Sequence, residues 1–202
     1  MLKKPAHTQV PLHDIIARRW SPRAFDPARP VSREQVTALL EAARWAPSCF
    51  GDQPWRFIVW DQNRDRASWD QAFDCLVEFN QQWVKHAPVL VSVLADSLFT
   101  GNGKPNRWGP YDTGAASENL CLQAVALGLA AHQMGGFDAD KLRRTFSIPE
   151  QFQCMAMIAV GYQAEPDTLS GEIKESELAA RSRRPLEQTC FDGTWGAPLT
   201  AG

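Results

Sequence analysis

The chain has 202 residues, of which 44% are hydrophobic and 22% are charged. This length fits one globular domain, and the composition excludes a collagen-like or broadly disordered chain. The formal net charge of −2 at pH 7 excludes a uniformly basic protein that coats nucleic acid, so we expect no nucleic-acid partner.

Helices and strands are predicted to alternate along residues 11–160. Ser32 and Gln35 form a capping box, and apolar residues from Val36 onward follow at helical spacing, which predicts a helix that stops at Pro47. In chain order, the predicted elements are helices over 11–19 and 32–46, a strand over 55–60, a helix over 69–84, a strand over 89–95, an irregular segment over 96–110, a long helix over 112–129, a short helix over 138–146 and a strand over 153–160.

This order of elements predicts an α+β fold. Helices are interleaved with three recognisable strands, so the sheet is small and flanked by helices. No glycine-rich loop follows the first strand, which excludes the dinucleotide-binding fingerprint, and the phosphate-binding P-loop motif is absent as well. We expect a single domain over residues 1–202.

The C-terminal tail, residues 163–202, is polar and then basic. Phe191, Trp195 and Leu199 recur there at four-residue intervals in a segment with little periodicity. Three large apolar side chains would be exposed on a monomer, which soluble proteins generally avoid. We therefore expect the tail to pack as an arm on a partner subunit of a homodimer.

The cysteines indicate a reducing compartment. Five cysteines are scattered through the chain without a CxxC pair or a histidine at metal-ligand spacing. The N-terminus lacks an apolar signal core, and the longest apolar stretch is too short to span a bilayer. We expect a cytoplasmic protein that holds no metal and makes no membrane contact.

Two basic clusters are candidates for binding an anion. Arg19, Ser21 and Arg23 lie within five residues near the N-terminus, and Arg181 and Arg183 lie near the C-terminus. A guanidinium presents a planar fork that matches phosphate oxygens. The alternative is that both clusters are solvated surface.

The loop around residues 47–55 is a third candidate. Pro47, Ser48, Cys49 and Gln53 place polar side chains and free backbone groups between a helix and a strand, framed by prolines. Such a loop can contact the edge of a flat heterocycle. The alternative is an ordinary helix–strand connection.

Together these segments resemble the nitroreductase family of flavoproteins. The resemblance lies in the order of its motifs along nearly the whole chain, because each motif alone is weak. The motifs are Arg-x-Ser-x-Arg-x-Phe, then Ala-Pro-Ser…Gln-Pro-Trp-Arg-Phe, then a central helix over 114–136 with its Gly-Phe turn, Val-Gly-Tyr at 160–162, and Arg-x-Arg-Arg-Pro-Leu near the C-terminus.

The resemblance implies a mostly antiparallel sheet and an obligate homodimer that holds one FMN at each of two subunit interfaces. It also implies hydride transfer from NADH or NADPH through FMN to a nitroaromatic, quinone or similar acceptor in a ping-pong cycle. The catalytic chemistry belongs to FMN, so no protein side chain is assigned as a catalytic residue.

The resemblance also implies which residues bind the cofactor. Arg23 is our candidate for the positive charge at the pyrimidine end of the ring system, and glycines beside the ring let the backbone approach it closely. The implied cofactor-binding residues are Arg19, Trp20, Ser21 and Arg23, then Pro47, Ser48, Cys49 and Gln53 from the other subunit's loop, then Asn80, Gly135, Gly136, Arg181 and Arg183.

Two positions depart from the family pattern. Gly51, followed by Asp52, stands where many members have Asn, and Gly135 stands where some members have an acidic residue. Both positions lie near the reacting face, so they bear on the acceptor more than on the cofactor.

The irregular segment 96–110 is the candidate acceptor pocket. It contains Phe99 and Trp108 among three glycines, which suits a mobile lid that stacks on a flat acceptor. The alternative is a surface loop whose Trp108 closes the edge of the core.

Two other functions stay open at the level of sequence. One is a specialised flavin enzyme of the same fold, such as a dehydrogenase, a dehalogenase or a flavin-cleaving enzyme. The other is a flavin-binding or redox-sensing module without turnover, because a fold does not fix a function.

Overall fold

A four-stranded antiparallel sheet forms the centre of the protein in a computed structural model that describes residues 2–199. The spatial order of the strands is β1-β2-β4-β3, and every neighbouring pair runs antiparallel. The strands are β1 (Trp55–Asp61), β2 (Val89–Asp96), β3 (Ala130–Met134) and β4 (Phe152–Gly161). The α+β fold with an antiparallel sheet, predicted from the sequence, is confirmed.

Seven α-helices surround this sheet in the described part of the chain. None of them is long and apolar enough to cross a membrane. The helices are α1 (Asp14–Arg18), α2 (Arg33–Arg44), α3 (Arg66–Phe73), α4 (Glu78–Val84), α5 (Gly109–Ala126), α6 (Ala139–Thr145) and α7 (Gly171–Leu178).

Both faces of the sheet are buried, and the strand sequences show why. Successive side chains of a strand point to opposite faces, so a strand covered on both sides is apolar throughout. In β2, Val91 and Val93 pack with α2 and α5 on one face, whereas Leu90 and Leu94 pack with α3, α4 and α6 on the other. All eight residues of β2 are buried.

The capping box predicted for α2 is present. The Ser32 hydroxyl accepts a hydrogen bond from the Gln35 backbone N–H at 3.2 Å, and the Gln35 side chain accepts one from the Ser32 N–H at 3.0 Å. These two bonds satisfy N–H groups that the helix itself leaves unpaired.

One strand was missed by the sequence analysis. The long helix predicted over 112–129 ends at Ala126, because Gly128 adopts a left-handed φ of 72° and turns the chain back. The following residues Ala130–Met134 form β3 and pair with β4. Their composition has no β-branched residue, so pairing with β4 decides this strand rather than propensity.

The helix predicted over 69–84 is two helices. Residues 74–77 leave the helical conformation and meet the turn after β3, where the Val77 N–H donates to the Gly136 carbonyl at 3.1 Å. The break places the start of α4 beside the Gly135–Gly136 pair, which matters for the site.

The first part of the C-terminal tail packs on its own chain. Helix α7 buries Ile173 and Glu177, although no helix was predicted there. Beside β4, the Asp26 N–H donates to the Tyr162 carbonyl and the Ala164 N–H donates to the Ala24 carbonyl, each at 2.9 Å. Arg181 also donates to the Lys4 carbonyl of its own chain, so the expectation that residues 163–202 pack on a partner narrows to the residues after Arg184.

Candidate functional site

A cavity of about 220 Å³ lies where the two ends of the chain meet. We call it the cationic cavity, because four arginines and Lys4 line it. The six cofactor-binding residues that the resemblance implies near the two ends of the chain all contribute to its wall, although the two groups lie about 160 residues apart. These residues are Arg19, Trp20, Ser21, Arg23, Arg181 and Arg183.

A buried carboxylate fixes the N-terminal wall of the cavity. Glu177 of α7 is 0% exposed, and its two oxygens accept the backbone N–H groups of Arg23 at 2.9 Å and Ala24 at 3.3 Å. Burying a carboxylate is costly unless its oxygens are paired. The N-terminal segment is therefore anchored to the tail helix at the position where Arg23 enters the cavity.

The arginines of the cavity face one another with few anionic partners. Burial, followed by the like charges of Arg19 and Arg183, lowers the pKa of Arg181. Burial also lowers the pKa of Lys4. Each of these effects disfavours the positive charge, and a bound anion would relieve the repulsion among the guanidiniums.

Two of the arginines differ in whether the protein itself provides them with a partner. Arg19 pairs with Glu118 of α5 at 3.3 Å. The Nε of Arg23 is buried and has no hydrogen-bond partner within the described residues. A buried guanidinium nitrogen without an acceptor is rare and indicates a place for a ligand oxygen or nitrogen.

Asn80 and Gly136 form a second part of the site. The Asn80 side-chain amide donates to the Gly136 carbonyl at 2.9 Å, and a Cβ on Gly136 would come within 2.6 Å of the Asn80 Nδ2. Gly136 is therefore required by close packing against Asn80. A Cβ on Gly135 would meet nothing within 4 Å, so the backbone there is open on one side.

Strand β3 connects the cavity to this turn. His132 contacts the Pro22 carbonyl at 3.0 Å through Nδ1, and its ring lies 4.5 Å from the Trp83 ring of α4, measured between centroids. Gly135 and Gly136 follow at the end of the same strand. The cationic cavity and the Asn80–Gly136 pair are thus held by one short segment.

The predicted loop residues Pro47, Ser48, Cys49 and Gln53 lie elsewhere, since none of them lines the cationic cavity. The Cys49 N–H donates to Asp112 of α5 at 2.9 Å, and the Gln53 N–H donates to the Ser48 hydroxyl at 3.0 Å. Asp112 stands six residues before Glu118, which contacts Arg19. At 1.5 Å per residue this places the two attachment points about 9 Å apart along α5.

The loop has strained backbone. Phe50 and Gln53 have positive φ angles of 55° and 53°, a region that non-glycine residues rarely adopt. The Phe50 ring is 94% exposed and meets the predicted pocket residue Phe99 at 6.1 Å between centroids. Trp108, the other predicted pocket residue, is 40% exposed and contacts Tyr111 instead, at 6.4 Å.

Three residues of the site were not found from the sequence. Glu177 lies in a helix that was not predicted, and Lys4 belongs to a short polar N-terminus without periodicity. Asp112 was seen only as the start of a helix. Their roles depend on contacts across the chain, and the sequence carries no local signal for them.

The fold is α+β, and the cationic cavity gathers positive charges where the N-terminal segment meets the tail. A family model described as "Nitroreductase family" matches residues 16–162, well over half of the chain. The chain therefore belongs to the nitroreductase family, as the motifs predicted.

Relatives and solved structures agree with this assignment. A protein of Methanothermobacter thermautotrophicus, provisionally named an NADH dehydrogenase/NAD(P)H nitroreductase, is 35% identical over 75% of this chain and 77% of its own length. The crystal structure of an oxidoreductase containing FMN superposes with a TM-score of 0.88 at 34% identity, covering 95% of this chain and 96% of the other. A provisionally named nitroreductase from Desulfovibrio desulfuricans, solved in complex with FMN, has a TM-score of 0.72 at 28% identity, covering 93% and 99%.

Proposed function

We propose that this protein is an FMN-dependent oxidoreductase that takes a hydride from NADH or NADPH and reduces a nitroaromatic, quinone or similar acceptor in a ping-pong cycle. The observation that carries the proposal is the cationic cavity, whose wall contains all six cofactor-binding residues that the resemblance implies near the two ends of the chain. Two similar solved structures contain FMN, which supports the choice of cofactor.

The residues of the cationic cavity fit the phosphate end of FMN. A phosphate dianion accepts several charged hydrogen bonds, and arginine provides them in forked geometry. Arg19, Arg181 and Arg183 would hold the phosphate, and the Ser21 hydroxyl supplies a further donor. The unpaired Nε of Arg23 is a donor for the pyrimidine side of the ring.

Asn80, Gly135 and Gly136 fit the ring system. The open side of Gly135 lets the backbone approach a flat ring without a Cβ in the way. When bound, FMN supplies the chemistry, accepting a hydride from the nicotinamide and passing it to the acceptor. The chain itself binds and orients the cofactor and excludes water from it.

We infer that the protein acts as a homodimer. Pro47, Ser48, Cys49 and Gln53 lie outside the cationic cavity of their own chain, so we place them against the FMN held by the partner subunit. Large apolar side chains are exposed on the described chain, as expected for a surface that is buried when two subunits associate. They include Trp45 (76% exposed), Tyr111 (76%) and Trp195 (89%).

The described residues after Arg184 fit the role of an exchanged arm. They fold into a small turn in which the Phe191 and Trp195 rings lie 4.8 Å apart, and the Leu199 N–H donates to the Cys190 carbonyl at 3.0 Å. Trp195 and Leu199 nevertheless remain exposed. All five cysteines are free, in line with a cytoplasmic location.

Retention of FMN tests the proposal. Arg183→Ala should weaken FMN binding by about 2 kcal/mol, or roughly thirtyfold, because it removes a charged hydrogen bond to the phosphate. Arg184→Ala is the matched control, since Arg184 is the next residue and does not line the cavity. Flavin absorbance during equilibrium dialysis measures both dissociation constants.

Wild-type protein that takes up no FMN would refute the proposed function. Equal FMN affinity in the Arg183→Ala and Arg184→Ala variants would refute the phosphate assignment alone. Anaerobic reduction by NADH and by NADPH, followed by reoxidation with a quinone, distinguishes the enzyme from a binding module without turnover.

A further inference from the structure

One carboxylate joins the loop after α2 to the segment between β2 and α5. The Asp52 carboxylate accepts the backbone N–H of Thr100 at 2.9 Å through Oδ1 and the side-chain amide of Asn106 at 3.3 Å through Oδ2. Asn106 is 3% exposed, and its own side-chain oxygen accepts the Trp108 N–H at 3.0 Å. These hydrogen bonds link the loop after α2 to the segment that contains both predicted pocket residues.

That segment is a small turn fixed at its base. The Phe99 N–H donates to the Lys104 carbonyl at 2.8 Å, and the Asn106 N–H donates to the Ser97 carbonyl at 2.7 Å. At the base, a Cβ on Gly109 would lie 2.2 Å from the Asp96 carbonyl oxygen, so the backbones are in close contact. The contact with Asp52 is made nearer the tip, at Thr100.

The two segments present an aromatic corner, formed by the rings of Phe50 and Phe99. The planes of these rings meet at 63°. Phe50 holds its exposed ring on a left-handed backbone, although exposure and strain each cost free energy. Strained residues of this kind cluster at ligand-binding sites, where surrounding contacts hold them in place.

We propose that Asp52 is a positioning residue that sets the aromatic corner and thereby favours flat aromatic and quinone acceptors over small inorganic ones. The inference rests on the proposed function and deepens it. A flat ring gains by stacking on one face of the corner while the other ring contacts its edge. An octahedral ion such as ferricyanide gains nothing from either ring.

Asp52→Asn tests the inference with little change of shape. The new amide can accept from Thr100, but its NH₂ group then faces the NH₂ group of Asn106, so the second hydrogen bond is lost. Asp65→Asn is the matched control, because Asp65 also accepts from a backbone N–H (Ser68, 3.0 Å) and a side chain, at the start of α3 away from the predicted site.

We expect Asp52→Asn to lower kcat/KM for 1,4-naphthoquinone at least tenfold while leaving kcat/KM for ferricyanide and the rate of flavin reduction by NADH within twofold. Trypsin should cleave both the flavin-loaded and the flavin-free variant at least fivefold faster after Arg107, because the turn loses its hydrogen bond to the loop after α2. Asp65→Asn should change none of these. Phe99→Leu should lower the quinone rate too, and adding Asp52→Asn to it should lower it little further.

An unchanged quinone-to-ferricyanide ratio in Asp52→Asn would overturn the inference, and so would an equal loss with both acceptors. If Asp52→Asn does not fold, an unchanged ratio in Phe99→Leu overturns it instead. A wild-type protein without flavin would refute the proposed function, while the trypsin comparison would still report whether Asp52 holds the turn.

Discussion

The cationic cavity and the aromatic corner differ in what holds them. Around the cavity, a fully buried carboxylate, Glu177, binds two backbone N–H groups, and a partly buried histidine, His132, contacts the Pro22 carbonyl. At the corner, the Phe50 ring is 94% exposed on strained backbone, and one partly exposed carboxylate ties the facing turn. The cavity is therefore anchored in the core through Glu177 and Ala24, whereas the corner lies at the surface.

The rigid cavity suits a tightly bound cofactor, and the less stable corner suits a substrate that exchanges in every cycle. A cofactor that stays bound through many cycles is served by rigid, prepositioned charges, because little ordering entropy is then lost on binding. A substrate that enters and leaves is served by exposed rings on a segment of lower stability. Substitutions at the cavity should therefore affect folding as well as binding, and substitutions at the corner should affect turnover alone.

The largest effect is expected for Glu177→Ala. The change leaves the buried N–H groups of Arg23 and Ala24 unpaired, each at a cost of about 1–3 kcal/mol, so the free energy of unfolding should fall by about 4 kcal/mol. Urea unfolding of the flavin-free protein measures it. Glu175→Ala, an exposed position on the same helix, is the control and should change the value by less than about 0.5 kcal/mol.

A loss below about 1 kcal/mol in Glu177→Ala would contradict the comparison. The anchor would then contribute no more than an ordinary exposed residue, and the cavity would not be part of the core in the energetic sense.

Lowering the pH is expected to reduce the free energy of unfolding by a smaller amount. Burial lowers the pKa of His132 to about 4, with further lowering by Arg23 and Arg19, against a hydrogen bond to the Pro22 carbonyl that raises it. Between this value and the unfolded pKa of about 6.5, the unfolded chain binds more protons than the folded one. Stability should therefore fall as the pH falls through this window, by about 3 kcal/mol from pH 7 to pH 4.

His132→Gln isolates this contribution, because glutamine can still donate to the Pro22 carbonyl but does not titrate. Urea unfolding at a series of pH values should show a weaker pH dependence in the variant by about the same 3 kcal/mol. Parallel curves for the two proteins would show that folding leaves the pKa of His132 unchanged, against the expectation.

The smallest effect on stability is expected for Trp108→Ala. Its ring is 40% exposed and its nearest aromatic and cationic neighbours, Tyr111 and Arg107, are exposed as well. The free energy of unfolding should fall by less than about 1 kcal/mol, below the usual cost for a buried tryptophan. If Trp108 belongs to a lid, kcat/KM for a quinone should fall several-fold while FMN content stays constant.

A stability loss of a few kcal/mol with unchanged acceptor preference would instead identify Trp108 as part of the core edge. Thermal melting and an acceptor series on the same preparation distinguish the two outcomes.

Much of the fold was predictable because its signals are local. The capping box at Ser32 and the apolar run of β2 each follow from a few neighbouring residues, and both are present. The boundary between α5 and β3 was missed, although Gly128 could have indicated it, because the residues after it have no strand propensity. Helix α7 was missed because a short polar helix is decided by what it packs against.

For the candidate site, too, local features were predictable from the sequence and long-range contacts were not. The basic clusters and the Gly135–Gly136 turn were identified by residue type and order, since arginine forks and glycine backbones carry their chemistry locally. Which of these groups meet was not readable, because a contact between Arg23 and Glu177 spans 154 residues. Asp52 was noted only as the residue after Gly51, which departs from the family pattern, and its partners Thr100 and Asn106 were not foreseen.

By itself, the sequence determined the α+β class, the family and the set of cofactor-binding candidates, because these depend on local patterns and on motif order. Only the tertiary structure decided that Glu177 anchors the cavity, that Arg23 Nε is left without a partner, and that Asp52 ties the turn of Phe99 to the loop of Phe50. Each of these depends on which polar groups the fold brings together and which it leaves apart. Burial fixes such pairings, because an unpaired polar group away from water costs free energy, and burial is a property of the packed chain.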